Sequence, residues 1–130
     1  MHRASDAAPN GRTAHVAGSG AAARVAVHKL LDSGSYVYGG LLDGLLVDEL
    51  AEEGFTMTMG SPLSAVATSR YDSRLQRGSW DIRAVTSTEM RAAGTPAHPE
   101  FRYRVTIDAY SSGKPFAHRE IEGRIPRRWI

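Results

Sequence analysis

The chain has 130 residues, 42% hydrophobic and 23% charged, with a formal net charge of +2; this is the size and make-up of one domain with a single core. Its bases are scattered apart from Arg127-Arg128, which read as a solvated tail, so the clustered basic face of a nucleic-acid binder is missing; the absence of cysteine excludes disulfides, thiolate nucleophiles and thiolate metal sites. No apolar run approaches the ~18 residues of a membrane span, and Arg3 precedes small and polar residues in place of a signal peptide's apolar centre, so no nucleic acid, no membrane and a cytoplasmic location are expected.

Residues 1–22 are rich in Ala, Gly and small polar types and are expected to form a flexible N-terminal arm, with room for a short strand around Thr13–Val16. Residues 23–130 read as a single domain. Arg24–Leu31 is the first clear element, with Val25, Val27 and Lys29 alternating against Ala26, His28 and Leu30. Asp32-Ser33-Gly34-Ser35 then supplies turn chemistry, and Tyr36-Val37-Tyr38 restarts an extended run.

Gly39–Glu53 answers to two periods. Leu41, Leu42, Leu45, Leu46 and Leu50 fall at helical spacing, and Val47, Glu49, Glu52 and Glu53 suit a short amphipathic helix over 41–53. Glycines at 39, 40 and 44 oppose a long helix, and Gly54 reads as its stop.

From Phe55 onward the period is two. Phe55, Met57 and Met59 alternate with threonines, and Ala65–Leu75 is extended up to the turn Gln76-Arg77-Gly78. Trp80, Ile82, Ala84, Thr86 and Thr88 share one face of the next strand, and Ala92–Pro99 is a loop. Phe101, Tyr103, Val105, Ile107 and Ala109 then alternate against Arg102, Arg104, Thr106 and Asp108, the pattern of a strand with one face on a core and one in water. Ser111-Ser112-Gly113-Lys114 turns the chain back into Phe116–Glu122, and Gly123 and Pro126 close the ladder. The fold class is therefore all-β, mainly antiparallel, of sandwich, jelly-roll or barrel type.

Four segments in order resemble the C-terminal region of the cocaine-esterase and X-Pro dipeptidyl-peptidase-like hydrolases. They are Ser61-Pro62-Leu63-Ser64-Ala65, Arg77-Gly78-Ser79-Trp80-Asp81-Ile82-Arg83, the Phe101–Tyr110 strand, and Arg119–Arg127 ending in Ile125-Pro126-Arg127. Ser61 and Ser79 stand where that family carries carboxylates, and Ile121 where it carries an aromatic. The resemblance implies a β-sandwich of jelly-roll type that follows an α/β-hydrolase domain, packs on it and helps wall its substrate cleft. It also favours strands and a loop over a helix in 39–53.

The hydrolase chemistry itself is not in these residues. No Gly-x-Ser-x-Gly elbow occurs, and Gly18-Ser19-Gly20 is a short Gly/Ser turn. His2, His15, His28, His98 and His118 are dispersed without metal-ligand spacing, and there is no Gly-x-x-x-x-Gly-Lys phosphate loop. No catalytic residue, metal or cofactor is assigned.

One constellation depends on register. His118 and Glu120 lie two apart, on one face of their strand. A four-residue loop pairing Tyr110 with Pro115 puts them on the inner face with Val105 and Ile107, where, with Tyr103 nearby, they would form a general acid/base pair. A loop of three or five residues puts them beside Arg104, Thr106 and Asp108 on the wet face. The second arrangement avoids burying Glu120 and is the one expected.

Two functions follow. The first is a non-catalytic β-sandwich module resembling that hydrolase accessory domain, acting in binding or assembly or as a fragment of a larger enzyme. The second is a small enzyme or carrier that holds an apolar molecule in a closed cavity lined from Trp80 and Phe101, with Tyr103, Tyr110, His118 and Glu120 as polar handles. The partners implied are a hydrolase core domain or further copies of the chain, meeting through exposed aromatics such as Tyr36 and Tyr38.

Overall fold

The computed structural model describes residues 10–38 and 44–128. Their strands are β1 (Gly11–Ala17), β2 (Arg24–Tyr38), β3 (Leu45–Thr58), β4 (Ser61–Arg77), β5 (Trp80–Gly94), β6 (Pro99–Ser111) and β7 (Lys114–Pro126), with a 3-10 turn at Gly20–Ala22. Each strand pairs antiparallel with the next in one sheet, in the order β1-β2-β3-β4-β5-β6-β7. The fold is thus all-β and antiparallel. Neither the second sheet of a sandwich nor the crossing connections of a jelly roll occur among the described residues. From β3 onward each strand returns beside its predecessor through a short turn, so no long connection remains to cross the sheet.

The helix considered over 41–53 gives way to a strand. Leu45–Thr58 is β3, held between β2 and β4 along nearly its whole length, and 41–43 lie outside the described residues. Leucines at 45, 46 and 50 satisfy either period locally. Hydrogen bonding to neighbours on both sides decides for the strand, as tertiary context commonly overrides propensity. The arm expected over 1–22 contains β1, which is longer than the short strand foreseen and pairs with β2 from Gly11↔Leu30 to Ala17↔Arg24; residues 1–9 lie outside the described residues.

Asp32–Ser35 does not turn the chain. It forms a bulge inside β2, where the register with β3 shifts between Asp32 and Gly34. The Gly34 amide donates to Asp32 Oδ1 at 2.8 Å, and Gly34 takes a φ of 61°, open to glycine at little cost.

The β6–β7 hairpin combines both registers read from the sequence. Tyr110 does pair with Pro115, and Ser111 with Lys114. The next partners are Ala109↔Ala117 and Asp108↔His118, so Phe116 is a bulge that shifts the register by one. His118 and Glu120 therefore reach the face of Thr106 and Asp108 through a bulge, with the loop reduced to Ser112-Gly113. Both loop residues have positive φ, 50° and 75°, as a type I′ turn requires.

Register sorts the side chains by face. One face carries the cross-strand row Val27–Phe55–Ala67–Met90–Tyr103–Gly123 and the neighbouring row Leu31–Ala51–Tyr71–Thr86–Ile107. The other carries rows such as Glu89–Arg104–Glu122 and Asp72–Val85–Asp108–His118. A methyl group at Gly123 would overlap the ring and hydroxyl of Tyr103, which lies across the glycine. The charged face needs no cover, whereas the described residues supply none for the apolar face. Among the described residues only Ala23, Leu45, Val47 and Ala92 are buried hydrophobics, while Phe55 is 38% and Trp80 48% exposed.

The β6–β7 turn yields a direct check. Asn tolerates positive φ better than Ser, so Ser112→Asn should raise the unfolding free energy by about 0.5 kcal/mol, and Gly113→Ala should lower it by about 1 kcal/mol. Urea titrations at fixed protein concentration measure both. A loss of stability in Ser112→Asn would contradict the turn assignment.

Candidate functional site

The apolar face curls into a hollow of about 810 Å³ that reaches from Arg12 on β1 to Ile125 on β7. Its wall is made by Val27, Phe55, Ala67, Met90, Tyr103 and Val105, side chains that alternation sends to this face from the five consecutive strands β2 to β6. The charged face is also hollowed, between His28, Arg70 and Arg104. Two hollowed faces are the mark of a sheet with pronounced twist.

Two sets of polar groups on the apolar face are paired. Lys29 Nζ lies 3.9 Å from Glu53 Oε2, and Arg12 stands directly opposite Lys29 on β1. Glu49 accepts hydrogen bonds from Tyr71 Oη at 2.7 Å and Tyr36 Oη at 3.2 Å, which joins β2, β3 and β4. The bond to Glu49, then burial and the carboxylate's charge, push the Tyr71 phenol above its usual range. This tyrosine–glutamate cluster was not legible beforehand. Its members are 13 and 22 residues apart, and the only local signal was Tyr71's place on the apolar side of β4.

The opposite face is a lattice of ion pairs. Asp72 receives Arg83 Nε at 2.8 Å and Nη2 at 2.6 Å, and Arg70 Nη2 at 3.1 Å. Asp81 receives Arg74 in the same two-pronged way, at 2.9 and 2.7 Å. These paired geometries fix planar guanidinium against planar carboxylate. Arg83 also lies 5.7 Å from the Tyr110 ring centroid. The hydrogen bond from Arg83 holds Asp72 below the usual carboxylate range, that from Arg74 does so for Asp81, and that from Arg104 for Glu120.

The four residues suggested as polar handles do not converge. Tyr103 lines the apolar hollow. Tyr110 stacks under Arg83 on the charged face. His118 Nδ1 meets Asp108 Oδ1 at 2.6 Å, and Glu120 pairs with Arg104 at 2.8 Å, both on that charged face. The hollow itself opens to solvent along the sheet and is lined by neither Trp80 nor Phe101. Among the described residues no group of three His, Cys, Asp or Glu could hold a metal, and no helix is long and apolar enough to cross a membrane. No family, curated protein or solved structure matches this chain.

The lattice makes stability depend on acid. Carboxylates with depressed folded-state values stabilise the fold above the unfolded value near 4 and lose that contribution as pH falls through the folded values. Asp72→Asn should therefore flatten the acid limb of a stability–pH profile below about pH 4. After solvent screening, a double-mutant cycle of Asp72→Asn with Arg83→Gln should give a coupling of about 0.5–1 kcal/mol. An unchanged acid limb in Asp72→Asn would refute the assignment.

Proposed function

We propose that this chain is a non-catalytic β module that works by packing its apolar face against a second body. The manner is that of the accessory domain which it resembles in the cocaine-esterase and X-Pro dipeptidyl-peptidase-like hydrolases. The observation that carries this reading is the asymmetry of the sheet. Rows of Val, Phe, Met, Tyr and Ile cross the apolar face with large side chains more than a third exposed, while the ion-paired face is complete in water. An uncovered apolar surface of this extent marks an interaction site in a soluble protein. The catalytic elbow is absent from the sequence, and His118 Nδ1 is paired with Asp108 on the charged face.

A second reading, in which the apolar hollow carries a small apolar molecule, draws on the roughly 810 Å³ volume and the Arg12–Lys29–Glu53 rim. It would use Tyr103 and not His118 or Glu120, which occupy the other face.

Two adjacent positions on β6 separate a covered face from a wet one. Val105→Asp should lower stability by several kcal/mol, because it sets an unpaired charge against the packed body. Thr106→Asp, one residue on and facing the charged side, should change it by less than about 0.5 kcal/mol. Equal tolerance at the two positions in urea unfolding would remove the docking reading. The purified chain should also hydrolyse no p-nitrophenyl ester and take up no fluorophosphonate; stoichiometric labelling of a serine would make it an enzyme.

A further inference from the structure

We infer that the body covering the apolar face is a second copy of this chain, the two sheets stacking face to face as the layers of one sandwich. The inference rests on the docking reading above and names its partner.

Area is the first support. Seven strands about 4.8 Å apart and about 13 residues long at 3.3 Å each span roughly 1,300 Å², against about 800 Å² per partner in a stable complex. An interface of that size and apolarity is of the obligate kind, which resembles a domain core cut in half.

Charge is the second. A surface that meets its own copy brings each charge against a face bearing the same set, so uncompensated charge at its centre is excluded. Here Glu53 is bridged to Lys29, and Glu49, off the central row, keeps its charge with each carboxylate oxygen satisfied by a tyrosine hydroxyl. Arg12 lies at the start of β1, Arg77 at the end of β4 and Arg119 on the outermost strand β7. The remaining centre, with Ala67, Met90, Val105 and Ile107, is neutral.

Timing is the third. Among the described residues only four hydrophobic side chains are buried within one copy, so cover is needed for folding itself. A second copy is present whenever the chain is made, and closed two-fold pairs are the commonest assembly of identical chains.

Side-by-side growth of the sheet is hindered on β7. Pro115, the Phe116 bulge and Pro126 interrupt that edge, as protected edges do.

Because the sequence has no cysteine, one thiol can report each face of the full-length chain. Ser69→Cys sits at the centre of the apolar face on β4, and Ser87→Cys on the charged face of β5. Sedimentation should give twice the 14.1 kDa chain mass. The thiol at position 69 should react with a maleimide at least tenfold more slowly than that at 87, and the protection should fade on dilution as the pair dissociates. A dimer with position 69 fully reactive would overturn the face-to-face arrangement. A monomer that binds the dye anilinonaphthalene sulfonate would overturn the second copy while leaving the docking reading intact, since the apolar face would then be bare. A folded monomer that binds no dye would remove both.

Discussion

A single antiparallel sheet can satisfy the backbone hydrogen bonds of its inner strands, but it cannot bury its own apolar face, and this constraint governs the described fold. The strands meet every ladder partner available in a meander, from Gly11↔Leu30 at one edge to Glu100↔Pro126 at the other. Burial does not follow from that pairing. A face gains its hydrophobic stabilisation only when a second layer removes it from water, and the described residues supply no such layer. Curling helps in part, by bringing Val27, Phe55, Met90, Tyr103 and Val105 around one hollow, yet it leaves Tyr71 46% and Ile125 49% exposed.

The ion-paired face solves the complementary problem. Paired arginines and carboxylates keep it soluble and hold neighbouring strands at their register, since Arg83 on β5 reaches Asp72 on β4 only where alternation puts both on one side. Such pairs add modestly to stability when exposed. Their larger effect is to specify: a one-residue slip would move Asp72, Arg83 and Arg74 onto the apolar side and leave charges without water or partners. One face thus selects the register that gathers the apolar rows on the other.

The same division explains which candidate residues the fold could assemble. His118 and Glu120 were correctly tied to each other by their spacing, but their relation to Tyr103 and Tyr110 depended on one bulge at Phe116. With that bulge in place, Tyr103 remains with the apolar rows and the other three stand on the charged side. Nothing in the local run of residues announces a bulge there. The tyrosine–glutamate cluster was equally hidden, because Tyr36, Glu49 and Tyr71 meet only after three strands have been aligned.

By itself the sequence determined that the chain is β-rich from Phe55 onward and which residues alternate along Phe101–Ala109, because period two is a property of neighbouring residues and needs no knowledge of the rest. It also placed the β6–β7 turn within Ser111–Lys114, which the structure narrows to Ser112-Gly113. Only the tertiary structure decided that Leu45–Thr58 is a strand, that Asp32–Ser35 bulges without turning, and that the described strands form one meander. Those outcomes turn on which distant segments compete for the same backbone hydrogen bonds, and that competition is invisible to any window of adjacent residues.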